Sequence, residues 1–504
     1  MPARIPGRTR LARAIQSFRA ARLARARAMP APGAVRPLTR AVAEQVFSRA
    51  AGAAPVPGTV QVLEDAAENY PAWLSAIEAA QRSVAFENYI IRDDGIGRRF
   101  ADALCGRAQA GVRMRVLYDW LGCLTTSRAY WRRLRAAGVE VRCFNPPRLD
   151  SPLGWLSRNH RKSLCCDDEV GFVSGLCVGD SWVGNPARGV PPWRDTGIAL
   201  RGPALANLQE AFEQSWAFAG HEPPPADATE ARLPESSHPA RLPGALLLRV
   251  IGSRPSTMGV YRLDQLIAGI ARDTLWLTDA YFVSTTAYTQ TLCDAARDGV
   301  DVRLLVPGAS DIPVAKALSR AGYRPLLEAG VRVFEWNGPM LHAKTAVADG
   351  RWARIGSSNL NIASWMGNWE LDVAVEDQGF ARGMERMFLH DLQGATEIVL
   401  DTAGVHSAGP RPREGRRGSP GRIAAGAVGL GSAVGAAITN RRALGPAEAQ
   451  VMAAAAALLL AAAAVAVFLP WLLTAPLALA AGWVALTLLV KAWRLWTLKQ
   501  PDVS

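Results

Sequence analysis

Four blocks of this chain occur twice, in the same order and with similar gaps, and that duplication constrains the fold more than any other feature. The first half reads YPAWLSAIEAAQRSVAFENYII, GVRMRVLYD, AGVEVRCF and NHRKSLCCDDEVGFVSGLCVG. The second reads YRLDQLIAGIARDTLWLTDAYFV, GVDVRLLVPG, AGVRVFEW and LHAKTAVADGRWARIGSSNLN. Gly111 corresponds to Gly299, Gly138 to Gly330 and His160 to His342. One match would be coincidence, whereas four in order require an internal duplication. Helical segments alternate in each half with short apolar runs such as Met114–Tyr118 and Val302–Val306, the pattern of strands buried on both faces. The expected fold class is α/β, with two duplicated sandwich domains, each a sheet covered by helices, packed as a pseudo-dimer in one chain. Pseudo-twofold symmetry brings equivalent elements together, so the two histidine segments should face each other across one cleft.

Around this repeat, composition sets the boundaries. Residues 1–55 read as a basic extension: the first 40 residues hold ten arginines, and Glu44 is the first acidic residue. Leu11, Ile15 and Phe18 fall at helical spacing within it, as in a short amphipathic surface helix. The first domain is expected at 56–220, a Pro-rich linker at 221–243 and the second domain at 244–400. A basic Gly/Pro-rich linker follows at 401–450, with Arg411, Arg413, Arg416, Arg417 and Arg422. From Val451 to Val490 no residue is charged, and Pro470 and Pro476 interrupt the run. One membrane span needs about 20 apolar residues, so 451–490 reads as a helical transmembrane hairpin, ahead of a basic tail at 491–504. Arg441 and Arg442 before it, and Lys491, Arg494 and Lys499 after it, favour cytoplasmic flanks. The N-terminus lacks the apolar core of a secretory signal. Concentrated positive charge within a net +13 points to a polyanionic surface, either anionic lipid or nucleic acid; a soluble disordered tail is the alternative.

The seven cysteines, Cys105, Cys123, Cys143, Cys165, Cys166, Cys177 and Cys293, show neither zinc-site spacing nor a CxxC pair. Several lie in strand-like apolar runs, which favours buried, reduced thiols in a cytoplasmic setting.

The chemistry-bearing motif is His-x-Lys followed by four residues and Asp, as His160, Lys162, Asp167 and again as His342, Lys344, Asp349. On a strand, residues two apart share a face. An imidazole beside an ammonium suits a phosphodiester, since the first attacks phosphorus or moves a proton and the second neutralises non-bridging oxygens. Taken singly, each would read as an ordinary histidine. Only six histidines exist, and two stand in register with the duplication, which reverses that reading.

With Gly-Ser-Ser-Asn at 356–359, the doubled motif resembles the phospholipase D superfamily over about Val60 to Asp377. Within it the chain most resembles bacterial cardiolipin synthases, through YII followed by Asp93–Asp94–Gly95, the RNHRK context, GLCVGDSW, and Trp193–Arg194–Asp195 followed by Gly202–Pro203. The resemblance implies two phospholipase D-like domains and no metal or other cofactor. One histidine becomes a phosphohistidine and the other protonates the leaving alcohol, then activates a second alcohol. By analogy with bacterial phospholipases D, His160 is the nucleophile and His342 the acid/base. Lys162 and Lys344 would bind the phosphate, with Ser358 and Asn359 assisting. Asp195 is expected to orient His160 and Glu370 to orient His342; Asp167 and Asp349, although part of the motif, are expected to close a strand turn by hydrogen bonds. One departure stands out: Cys177 occupies a position where the family usually has Asn.

The implied activity is a phosphatidyltransferase making cardiolipin from phosphatidylglycerol and a second lipid alcohol. Its partners would be anionic phospholipids, with phosphatidylethanolamine another candidate, at the bacterial inner membrane with the catalytic part on the cytoplasmic side. Hydrolysis to phosphatidic acid is the alternative. A nuclease, suited by the basic tails, and a non-catalytic membrane protein on an enzyme scaffold are further alternatives; the hairpin disfavours the first, so no nucleic acid is expected, and the intact His-Lys pairs disfavour the second.

Overall fold

The computed structural model describes residues 37–147, 156–220, 244–255, 257–401 and 404–407, together with residues 471–497 and single positions between 457 and 469. Most of the basic extension, the whole of the linker at 221–243, most of 401–450 and most of the first limb of the expected hairpin lie outside the described residues. Of the described residues, those from Pro37 to Arg49 are helical and belong to a unit separate from those that follow.

In the first half seven strands, β1 (Val56–Glu64), β2 (Ser83–Asn88), β3 (Arg113–Asp119), β4 (Glu140–Phe144), β5 (Ser163–Cys166), β6 (Val170–Ser174) and β7 (Thr196–Arg201), pair in the order β1-β7-β6-β5-β2-β3-β4. The second half repeats the order with β8 (Leu246–Ser253), β9 (Thr274–Thr278), β10 (Asp301–Pro307), β11 (Arg332–Trp336), β12 (Thr345–Ala348), β13 (Trp352–Gly356) and β14 (Glu370–Val375), and adds β15 (Ala395–Asp401) and β16 (Gly404–Ser407) at the β11 edge. The crossovers β2–β3–β4 and β9–β10–β11 are parallel and the remaining pairings antiparallel.

The duplication is therefore structural as well as sequential. It extends to the turns, because the paired glycines Gly111 and Gly299, Gly138 and Gly330 all adopt left-handed φ angles, of 88°, 97°, 93° and 94°. Each follows a helix, where a side chain would strain the backbone. Equivalent helices Gly95–Gln109 and Thr286–Arg297 begin with the side chains of Asp94 and Thr285 accepting from the amides of Gly97 and Tyr288, which satisfies orphan donors of the first turn.

Two separate sheets were the expectation. Instead β1 and β8 pair antiparallel from Val56↔Leu248 to Gly58↔Leu246, so the halves join edge to edge. A second junction is apolar. Val173, Ile198, Leu200 and Phe212 of the first half share one core with Val347, Ile355, Leu371 and Val373 of the second. Pairing the two edges satisfies backbone groups that would otherwise be left open, while the shared core removes the inner faces from water.

Strand direction then decides where function collects. β5 runs antiparallel to β2 and β6 antiparallel to β5. The segments after β2, β3 and β6 and before β5 and β7 thus emerge at one end, and the second half repeats this. Both histidine segments lie at those ends.

In the C-terminal region, helix Trp471–Thr497 occupies the second limb of the expected hairpin. Among the described residues no helix is long and apolar enough to cross a membrane.

Candidate functional site

His160 and His342 sit just before β5 and β12, and each is bonded through its backbone to the other half. The His160 amide donates to the Trp369 carbonyl (2.9 Å), and the Trp369 amide donates to Arg158 (2.8 Å). The His342 amide donates to the Arg194 carbonyl (2.7 Å), and the Arg194 amide to Met340 (2.9 Å). These bridges set each histidine beside the carboxylate that opens a strand of the opposite half. His160 Nδ1 lies 3.1 and 3.0 Å from the two oxygens of Glu370, and His342 Nδ1 lies 2.7 Å from Asp195 Oδ2. The orienting partners are thus the reverse of the expected assignment: Asp195 serves His342, and Glu370 serves His160. Spacing along the chain suggested partners within a half; the cross-half backbone bridges override it.

Each carboxylate is itself fixed. Asp195 accepts from Trp182 Nε1 at 2.9 Å, and Glu370 accepts from Ser357 Oγ at 2.5 Å. An ionised carboxylate has no hydrogen to give, so Nδ1–H of each imidazole is the donor and Nε2 is the nitrogen left for chemistry. Lys162 and Lys344 are fully buried, each donating to the carbonyl of its own motif histidine, at 2.6 Å for Lys162. Both ammonium groups act on both imidazoles electrostatically, so the four side chains converge on one centre.

That convergence explains the proton affinities. Burial, with Lys162 and Lys344 and against the pull of Glu370, lowers the His160 pKa to about 4. Burial and Lys344 lower His342 to about 3. Lys344 falls to about 8 because burial disfavours its charge, only partly offset by Asp195. Burial alone would raise Asp195 and Glu370, but the adjoining imidazoles and lysines hold both below the ordinary carboxylate range.

The other expected site residues fall in different places. Asp167 and Asp349 are not in the cleft: they lie at the opposite ends of β5 and β12 from the histidines, at φ of 55° and 52°. Asp167 accepts from the amides of Gln81, Arg82 and Ser83, and Asp349 from those of Arg272, Asp273 and Thr274. Each ties its turn to the start of a neighbouring strand, as expected for a turn-closing role, and their place beside the catalytic histidines in the motif is corrected accordingly. Ser358 is committed to Asp372 through Oγ, so Ser357 rather than Ser358 reaches the constellation. Asn359 is buried, with Oδ1 lacking a hydrogen-bond partner among the described residues. Cys177 stands at the equivalent position of the first half, fully buried, with the charges of Lys162 and Lys344 acting on its thiol.

Aromatic rings line the centre, and sequence reasoning did not single them out. Tyr89 meets His160 edge-on at 5.0 Å between ring centres, and the Lys162 ammonium lies 5.3 Å from the Tyr89 ring. Three rings surround His342: Trp182 at 5.5 Å, Trp193 at 6.0 Å and Tyr281 at 5.9 Å. The available signal was adjacency, since Trp193 immediately precedes Arg194–Asp195 and Tyr89 and Tyr281 close the repeated strand block. No group of three or more His, Cys, Asp and Glu among the described residues is placed to hold a metal ion.

Comparisons with known proteins agree with this architecture. The family model described as "Cardiolipin synthase, PLD-like domain" matches residues 73–180 and 265–392, one match in each half. A cardiolipin synthase of Alkalihalophilus pseudofirmus is 33% identical over 341 residues, 67% of this chain and 67% of that protein. Cardiolipin synthase A of Pseudomonas aeruginosa is 34% identical over 350 residues, 68% of each chain. Among solved structures, phosphatidylserine synthase of Haemophilus influenzae superposes with a TM-score of 0.54 at 15% identity, covering 70% of this chain and 91% of that one, a likeness of fold. With both motif halves matched and these relatives aligned over two thirds of its length, the chain belongs to the cardiolipin synthase family of the phospholipase D superfamily.

Proposed function

We propose that this phosphatidyltransferase makes cardiolipin, taking a phosphatidyl group from phosphatidylglycerol and passing it to a second lipid alcohol. The observation that carries the reading is the pair of imidazoles, each with Nδ1 bound to a buried carboxylate and Nε2 free, beside two buried lysines. His160, neutral above about pH 4, attacks phosphorus through Nε2. His342 gives a proton to the departing glycerol oxygen, and the two lysines offset the phosphate charge. An anionic phosphate between the imidazoles favours the protonated form that His342 needs. The acceptor hydroxyl then returns a proton to His342 and attacks phosphorus, releasing His160. Asp195 and Glu370 act by orienting the imidazoles and stabilising them when charged. We assign Asn359, buried at the end of the segment after β13, to assist the phosphate.

A lipid setting is supported by apolar side chains left in the open. Leu124, Val183, Val190 and Met366 are exposed on segments after β3, β6 and β13, at the histidine end of the sheet. In the C-terminal segment Phe468, Trp471, Leu479, Leu486 and Leu489 are each more than 60% exposed, although large apolar residues are normally buried. We read 451–490 as the membrane hairpin, with the catalytic part at the inner face of the cytoplasmic membrane. Six of the seven cysteines are buried and all are unpaired, in keeping with a reducing side. The duplicated domains are taken as 56–220 and 244–400.

Full-length protein and its His342→Ala variant, mixed with phosphatidylglycerol vesicles with and without phosphatidylethanolamine, provide the test by mass spectrometry. Cardiolipin and free glycerol are expected from wild type and not from the variant. Phosphatidic acid as the sole product would make the protein a hydrolase, and near-normal turnover by His342→Ala would end the two-histidine mechanism.

A further inference from the structure

The two histidines stand in unlike surroundings. Among the described residues His160 has one ring against it, Tyr89. His342 is walled by Trp182, Trp193 and Tyr281, and the two indoles pack on each other with 4.8 Å between ring centres. The wall is built rigidly: Trp182 is buried and its indole N–H is held by Asp195, while the Tyr281 hydroxyl donates to Asp311 at 2.9 Å. Trp193, packed on Trp182, is only half-buried and presents the more open surface beside His342.

We propose that Trp182, Trp193 and Tyr281 form the alcohol-binding subsite over His342, and that this wall favours transfer to a lipid alcohol over hydrolysis. The inference rests on the phosphatidyltransferase reading, in which His342 handles the departing and arriving alcohols. In the second step the acceptor hydroxyl oxygen forms a bond to phosphorus as the phosphorus–nitrogen bond to His160 breaks. The hydroxyl proton goes to His342 Nε2, and the electron pair of the broken bond returns to His160. Water enters the same step equally well by chemistry and yields phosphatidic acid, so only the surroundings of His342 discriminate. Flat apolar rings offer a lipid's glycerol carbons contact area, and offer water few hydrogen-bond partners to hold it at the attacking position. Among the described residues the first half, where His160 handles phosphorus and no alcohol, carries no such enclosure.

The experiment is a product-ratio measurement on full-length wild type, Trp193→Ala and Trp193→Phe with phosphatidylglycerol vesicles in oxygen-18 water. Mass spectrometry reads cardiolipin against phosphatidic acid carrying the heavy isotope. Trp193→Ala is expected to lower the ratio about tenfold, the equivalent of about 1.4 kcal/mol between competing barriers, while Trp193→Phe stays within about threefold of wild type. A ratio unchanged in Trp193→Ala overturns the inference, as does a parallel loss of both products, or a fall in Trp193→Phe as large as in alanine. Absence of any lipid product from wild type would instead overturn the phosphatidyltransferase reading, and this inference with it.

Discussion

The two halves of the catalytic region share a strand order, a motif and a set of turns, yet they fix their carboxylates by different means. In the second half Ser357 donates its hydroxyl to Glu370. At the equivalent place in the first half stands Gly175, where a Cβ would fall 2.1 Å from Asp195 Oδ1, so the shorter carboxylate occupies the space a side chain would need. The missing hydroxyl is replaced by the indole N–H of Trp182 at 2.9 Å. Asp195 thus leans on a ring that also walls His342, and Glu370 on a serine that touches no alcohol subsite. Duplication supplied two equal His-Lys units whose supports have since diverged, and on the proposed mechanism that divergence suits the His160 side to phosphate and the His342 side to alcohol.

The strongest test of this comparison exchanges a carboxylate for its amide. Asp195→Asn is expected to disturb His342, and Glu370→Gln to disturb His160, each across the interface between halves. An amide can present a donor where Nδ1–H needs an acceptor, favouring the wrong tautomer, and in a related arrangement such a change costs about 10⁴-fold. Turnover should therefore drop by about 10²- to 10⁴-fold in either variant. Nitrogen-15 resonances of the two imidazoles distinguish cross-half from within-half support. In Glu370→Gln the His160 signals should move and those of His342 remain. Movement of His342 alone would return the pairing to the within-half assignment.

That pairing marks the boundary of what the sequence could tell. The internal duplication, its matched glycines and the facing of the two His-Lys pairs were legible because they repeat, and a repeated pattern carries its own internal control. The partner of each histidine was not legible, since Asp195 and Glu370 lie at similar spacings behind their motifs and the choice depends on the Asn159–Trp369 and Arg194–Leu341 bridges between halves. The edge pairing of β1 with β8 escaped for the same reason: register across a domain interface leaves no periodic trace. Ser358 was favoured over Ser357 although strand alternation places them on opposite faces, and only the side chain of Ser357 faces Glu370.

A smaller effect separates the two lysines by pH. Burial lowers both, and Lys344 reaches about 8 against an ordinary 10.5. Its positive charge is therefore present below about pH 8 and lost as pH rises through that value. If that charge holds phosphate, kcat/KM, already falling about tenfold per unit above about pH 4 because the free enzyme's His342 has lost the proton it must give, should fall about tenfold more per unit above pH 8. In kcat the falling limb should lie higher, because bound phosphate favours the charged amine. Lys344→Arg, permanently charged, should remove the added fall above pH 8 even at reduced turnover. A limb retained in Lys344→Arg would assign it to another group.

The smallest expected effect concerns Cys177 and Asn359, which differ between the halves at matching positions. Cys177 and Asn359 occupy equivalent positions, both buried. A thiol is a weak donor where an amide would give a hydrogen bond to a charged phosphate, worth about 1.5–3 kcal/mol at most. Asparagine is larger than cysteine, and forcing it into a packed site costs about 1–3 kcal/mol of folding stability while shifting the neighbouring side chains, which offsets part of the gained bond. Cys177→Asn is then expected to change kcat/KM by no more than about tenfold, with a lower melting temperature. The mirror substitution, Asn359→Cys, removes a donor without overpacking and should cost about tenfold in kcat/KM at unchanged thermal stability. Measuring both variants decides whether the asymmetry is functional. Equal and small losses would make the two positions interchangeable. A large loss in Cys177→Asn without any fall in melting temperature would mean that the small, weakly polar thiol is itself what the phosphate side of the cleft requires.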